Sequence, residues 1–205
     1  MKNNRKELSR VTFSREAVEY DDSPRYSPLR ASYPAIVAEI LRYPFRSILD
    51  VGCGTGTLLS MIHEQQREAR LCGVDLSEQM IEMAKAKLPA GADLRVSDSE
   101  KLPFRAGSFD VLMCTFSFHH HPDPTTVLSE MRRVLTPSGR LVMADPLIPA
   151  PLRQVMNLLV PLSKDGTVRF YSRREMYALA QSVGLRVSRW LKLNWHSYLL
   201  VAESQ

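Results

Sequence analysis

A chain of 205 residues with 44% hydrophobic and 24% charged residues can bury the core of one domain, which excludes a disordered or fibrous protein. Its net charge of +5 is spread along the chain rather than gathered into a basic block, so no dedicated nucleic-acid binder is indicated. Three cysteines (Cys53, Cys72 and Cys114) without C-x-x-C spacing, no leader-like start and no membrane-length apolar run together predict a cytoplasmic protein with no membrane partner.

Residues 1–30 are polar, mixed in charge and interrupted by Pro24 and Pro28, and read as an arm rather than core. Residues 31–43 have helical spacing, with Ile36, Val37, Ile40 and Leu41 on one side. SILDV (47–51) reads as a buried strand, 57–69 as a helix and RLCGVD (70–75) as a second strand. Ser77 is placed to cap a helix running to about Leu88, with Glu78 in its positive first turn. A short third strand at 92–98 and a nearly all-apolar fourth at 109–116 follow. Asp123 then Pro124 signals a helix start, and Val127, Met131, Val134 and Leu135 form its stripe. A fifth strand occupies 138–145. Prolines break the alternation over 146–170, around a short apolar helix near 152–160. Ser172 and Glu175 make a capping box, Met176, Leu179, Ala180 and Val183 the stripe behind it, and Gly184 the stop. The last two apolar runs are too close for a crossover and must pair antiparallel. The pattern is that of an α/β, Rossmann-like, doubly wound sheet of seven strands, mostly parallel, with a C-terminal antiparallel hairpin. In such sheets ligands bind beyond the carboxyl ends of the strands, where the strand order reverses.

Three of the nine glycines, Gly52, Gly54 and Gly56, fall within five residues of the first strand's end. Something approaches that backbone more closely than a Cβ would allow, or the chain turns as a Cβ forbids. The spacing departs from G-x-G-x-x-G at its second half: the third glycine is one step early and Thr57 follows. That weakens a pyrophosphate-binding reading, and with it a NAD-dependent oxidoreductase, without excluding either. Asp75 ends the second strand 19 residues after Gly56, the separation at which a carboxylate grips ribose hydroxyls. The expected ligand is therefore a nucleoside.

ILDVGCGTG (48–56), GVDLSEQMIEMAK (73–85), VSDSEKLPFRAGSFDVL (96–112) and LSEMRRVLTPSGRLVMAD (128–145) together resemble the class I S-adenosylmethionine-dependent methyltransferases, in the small-molecule branch typified by methyltransferase type 11. The resemblance spans about 45–145, and FSREAVEYDD (13–22) resembles more loosely a helix that closes over the cofactor. It implies one methyltransferase domain over 1–205: an arm (1–44), a cofactor core (45–145), a substrate lid (146–170) and a final helix and hairpin (171–205). It implies S-adenosyl-L-methionine as cofactor, S-adenosyl-L-homocysteine as product, and no metal. The backbone of Gly52, Cys53, Gly54 and Gly56 would pack on the methionine part, and Asp50 would support the loop and the amino group. Asp75 would take the ribose, Leu76 the adenine side, Asp98 the adenine amino group with Ser99 beside it, and Phe116 the methionyl portion. Tyr20 would join them from the arm.

His119, His120 and His121 are consecutive, so their side chains diverge and do not converge on one ion. They follow the fourth strand, which makes His119 or His120 a candidate base or acceptor contact. The apolar residues of 146–170, among them Leu152, Val155, Met156 and Leu159, suggest a lid over a partly apolar acceptor, or a helix that packs on the sheet. Arg169 and Tyr171, with Tyr26 and Tyr33 in the arm, are further acceptor candidates. The expected activity is methyl transfer to a small molecule at O, N or C, by a monomer or homodimer. A non-catalytic S-adenosylmethionine-binding module is the other reading, because sulfonium chemistry asks few groups of the protein.

Overall fold

The computed structural model describes residues 2–204. Strands β1 (Ser47–Val51), β2 (Arg70–Asp75), β3 (Asp93–Val96), β4 (Phe109–Thr115), β5 (Leu135–Pro146), β6 (Leu185–Lys192) and β7 (Ser197–Ser204) form one sheet. Their order is β3-β2-β1-β4-β5-β7-β6. The first five are mutually parallel, whereas β7 runs antiparallel to β5 and to β6. The final hairpin thus inserts its second strand between β5 and its first. The strand order reverses between β1 and β4, and the cleft opens above that point.

Eight helices accompany the sheet among the described residues: α1 (Lys2–Glu16), α2 (Ser27–Arg30), α3 (Tyr33–Ile40), α4 (Thr57–Gln65), α5 (Glu78–Lys87), α6 (Pro124–Val134), α7 (Leu152–Leu159) and α8 (Arg173–Ser182). All five residues of β1 are buried, as a strand covered on both faces requires. Adjacent Ile48 and Leu49 enter opposite layers, following the period of two. Ile48 packs with Ile36 and Ile40 of α3, Leu59 and Ile62 of α4, and Ile81 of α5. Leu49 packs with Val127 and Met131 of α6 and Met176 of α8. The caps form as their spacing predicts: Ser77 accepts from Met80 N, Asp123 from Thr126 N, and Ser172 and Glu175 close a reciprocal box.

Three differences from the sequence reading have local causes. Helix α6 stops at Val134, and Leu135 pairs with Phe109 as the first residue of β5. Pro137 disfavours helical geometry at Thr136, so the stripe cannot run on. Helix α4 ends at Gln65, where Gln66 turns away and donates its side-chain amide to Phe45 O. The arm is largely helical: α1 docks by polar contacts, so it lacks the apolar stripe that would have revealed it. Lys6 pairs with Asp98 and Glu100 at 2.7 and 2.8 Å, and Ser14 Oγ meets Ser77 Oγ at 2.8 Å. Beyond the helix, Asp21 accepts from Thr55, Thr57 and Lys87.

Candidate functional site

The main cleft lies at the carboxyl edge of β1, β2 and β4. Its walls include Gly52, Gly54, Asp75, Leu76, Asp98, Ser99, Phe116 and His120, with Phe13 and Tyr20 covering it from the arm. Its space, including part of the open mouth, is about 760 Å³. Nine residues singled out from sequence thus meet here: Gly52, Gly54, Asp75, Leu76, Asp98, Ser99, Phe116, Tyr20 and His120. Asp50, Cys53, Gly56 and His119 do not line the cleft.

The three glycines do three different things. A Cβ on Gly52 would lie 2.2 Å from Ser117 Oγ, so its bareness lets the loops after β1 and β4 abut. A Cβ on Gly54 would meet nothing within 4 Å; here the backbone itself faces the cleft. Gly56 begins α4 and would press on Ala84 and Leu88, so it serves helix packing. All three have positive φ. Cys53 is buried against Gly73 of β2.

Asp75 holds the loop: Oδ2 accepts from Gly54 N at 3.0 Å and Oδ1 from Ser77 N at 2.9 Å. Burial raises its carboxyl above the ordinary range, with the backbone donors pulling the other way. Asp50 is buried more deeply, its Oδ1 without a partner. Burial and then the charge of Asp75 push its carboxyl well up. Among the described residues, no basic side chain is bonded to either carboxylate. Asp98 differs, since Lys6 already pairs with its Oδ2 and Glu100 N donates to its Oδ1. Phe116 takes φ +52, an uncommon strain for a non-glycine, just past the end of β4. Its N–H donates to Ala144 O, and its ring stacks on Tyr33.

The three histidines part company. His121 lines the cleft and its Nδ1 meets Ser99 Oγ at 3.0 Å. Burial, then repulsion from His119, pushes its ring down to about 4. His120 lines the cleft edge-to-face with Phe13, and burial lowers its ring well below the ordinary value. His119 is buried behind it, with ring centroids 4.1 Å apart, and its Nδ1 contacts Asp145 Oδ1 at 2.8 Å. Phe170 stacks on its other side. Among the described residues, no group of three or more His, Cys, Asp or Glu is placed to hold a metal ion.

Lys6, Phe13, Ser117, His121 and Asp145 escaped the sequence reading. Asp145 carried a usable signal, a lone carboxylate closing the apolar run LVMA. Lys6 carried none, because its partners lie more than ninety residues away. Tyr33 stacks behind Phe116 of the cleft, whereas the other tyrosine and arginine candidates are engaged elsewhere. Tyr171 is buried against Phe118, Arg169 pairs with Glu175, and Tyr26 donates to Glu16. No residue of 146–170, the expected lid, lines the cleft.

Comparison with known proteins agrees with this architecture. Residues 49–143 match the methyltransferase-domain family of type 11, and the chain is similar to S-adenosylmethionine-dependent methyltransferases. A ubiquinone/menaquinone biosynthesis C-methyltransferase of Desulfotalea psychrophila is 34% identical over 127 residues, 62% of this chain and 48% of that protein. A malonyl-[acyl-carrier protein] O-methyltransferase of Hahella chejuensis is 36% identical over 143 residues, 69% of this chain and 51% of that protein. The chain spans about half the length of the curated relatives it matches. The 1,6-didemethyltoxoflavin-N1-methyltransferase of Burkholderia thailandensis, solved with its acceptor and S-adenosylhomocysteine, has the same fold. Its TM-score is 0.78 at 18% identity, covering 100% of this chain and 91% of that one.

The loop contact yields a stability prediction. Gly52→Ala should cost about 2–4 kcal/mol from clash and positive φ together, and Gly54→Ala about 1–2 kcal/mol from φ alone. Urea unfolding measures both, and equal costs would show that the Ser117 contact has slack. The histidines yield a second prediction. His121 is neutral in the fold to about pH 4, whereas an unfolded histidine charges near 6.5. Its contribution is therefore complete above pH 6.5 and lost as pH falls toward 4. The unfolding midpoint should drop more steeply across that window in the wild type than in His121→Gln; parallel curves would refute the assignment.

Proposed function

We propose that the protein transfers the methyl group of S-adenosylmethionine to a small acceptor. The observation that carries this reading is the acidic floor of the cleft. Half-buried Asp75 ends β2 and buried Asp50 stands near the end of neighbouring β1, neither bonded to a cation among the described residues, beneath a loop whose Gly54 backbone is bare. A ligand bearing positive charge and hydroxyl donors fits such a floor, and a nucleoside sulfonium with an amino group has both. The bound cofactor would supply an already activated methyl group on sulfur.

The chain's own residues then bind and orient. Asp75 accepts from the ribose hydroxyls while keeping Gly54 in place, and Leu76 packs beside the adenine. Asp98 and Ser99 meet the adenine edge, with Asp98 shared with Lys6. The Gly52–Gly56 backbone and Phe116 flank the methionine part, Asp50 supports its amino group from below, and Tyr20 closes the arm side. Cys53 and Gly56 act through loop shape. Holding donor and acceptor in line can lower the barrier by up to about 7–11 kcal/mol.

His120, neutral and on the cleft wall with its Nδ1 unpartnered, is the histidine that contacts the acceptor and can take a proton from its hydroxyl or N–H. His119 lies behind it with Nδ1 on Asp145 and positions the His120 ring. The relatives' names include C-, O- and N-directed enzymes, quinones among their acceptors, so the reading stops at a small organic acceptor. In this reading the protein works in the cytoplasm; among the described residues no helix is long and apolar enough to cross a membrane.

Titration calorimetry with S-adenosylhomocysteine tests the site. Asp75→Ala should weaken binding by about 1–3 kcal/mol, roughly 5- to 150-fold, because the contacts are buried and charge-assisted. Unchanged affinity would remove the reading. His120→Gln should keep most of that affinity and lose turnover over a panel of quinol, phenol, carboxylate and azaheterocycle acceptors. No turnover by the wild type on any such panel would leave a binding module in place of an enzyme.

A further inference from the structure

Helix α7 is inside out. Two of its polar residues turn to the protein: Arg153 donates to Ile148 O, and Asn157 both donates to Phe170 O and accepts from Phe170 N. Leu152, Val155, Leu158 and Leu159 face solvent, and none of the helix is fully buried. Of the ten large hydrophobic side chains exposed among the described residues, five lie between Leu152 and Leu162. They are Leu152, Val155, Leu158, Leu159 and Leu162, with Leu158 at 79% and Leu162 at 77% exposure. Scattered apolar residues are ordinary on a surface, but half of them on one helix and its extension are not.

A second feature lies at the same edge of the sheet. Trp195, in the β6–β7 turn, is 80% exposed, with Lys192 Nζ 3.8 Å from its ring centroid. That turn is tied to the segment leading into α7, since Leu147 N donates to His196 O at 2.8 Å. An indole standing outward with an ammonium beside it suits a boundary between hydrocarbon and charged headgroups. Charge points the same way. Residues 146–164 and 190–202 contain no carboxylate, while Arg153, Lys164 and Lys192 are basic. Asp165, which follows, is already engaged by Arg25 and Ser163.

We propose that α7 and the Trp195 turn together seat this edge of the protein on an anionic lipid bilayer. The apolar stripe lies at the depth of the headgroup–acyl boundary, and Lys164 and Lys192 meet lipid phosphates. A second copy of the chain is the rival occupant. It fits less well, because the like charges flanking the stripe would face each other across a two-fold axis. The surface stands apart from the proposed reaction and does not depend on it.

Co-sedimentation of the full chain with vesicles tests the proposal. The protein should pellet with phosphatidylcholine vesicles containing phosphatidylglycerol, less with phosphatidylcholine alone, and less as salt rises. Its tryptophan emission should shift to the blue on binding, and Trp195→Phe should abolish the shift, leaving the signal of Trp190. The double variant Leu158→Glu, Leu159→Glu should bind at least tenfold more weakly. Both side chains are exposed, so its circular dichroism and melting temperature should match the wild type. A protein that stays in the supernatant with both vesicle types would overturn the proposal, as would wild-type binding by the double variant. So would light scattering that finds a stable dimer dissolved by those two substitutions.

Discussion

The loop after β1 touches the loop after β4 at a point where no side chain would fit. Gly52 has Ser117 against the space a Cβ would occupy, and this contact closes the base of the cleft between the two strands flanking the switch point. Everything above it depends on the resulting shape. With the loop pressed inward, Gly54 N reaches Asp75, which ties β1 to β2 across the cleft floor. The same turn brings Thr55 and Thr57 outward to meet Asp21 of the arm. Phe116, at the other side of the contact, is held in a strained conformation by Ala144 O. Strain at such a position persists because the packed sheet on both sides over-determines it.

The floor and the cover of the cleft are held by different physics. The floor rests on β1 and β4, buried on both faces, and cannot move without disrupting the core. The cover, α1 and the chain to Asp22, is held mainly by ion pairs and hydroxyl contacts at partly exposed positions. Contacts of that kind contribute about 0–1 kcal/mol each and exchange readily with water. A rigid floor under a cover with low opening free energy is what admission and retention of a ligand require. Lys6 adds a further link, because its partner Asp98 is a cleft residue, so arm position and ligand occupancy share a carboxylate.

The cleft wall at His120 is backed by rings and one buried carboxylate. His119 lies between His120 and Phe170 with Asp145 at its Nδ1, so its orientation is set from three sides. Phe170 in turn is fixed through its backbone by Asn157 of α7. The outward-facing helix and the histidine pair are therefore one connected unit. The same polar face of α7 that steadies His119 is what turns its leucines to solvent.

The sequence alone determined the layers, the strand pairing class and the floor of the site. Those features rest on local chemistry: alternation in SILDV, caps at Ser77, Asp123 and Ser172, glycines at a strand end, and a carboxylate closing the next strand. Only the tertiary structure decided the rest. It showed which glycine faces the cleft and which faces a neighbour, because that depends on Ser117 and Ala84, distant in sequence. It turned the polar arm into a docked helix, since its partners are charges scattered over the domain rather than an apolar stripe. It gave His119 its carboxylate and reversed α7. A helix pattern reports that two faces differ; which face turns inward is set by the groups waiting there, and here those groups are backbone amides and carbonyls.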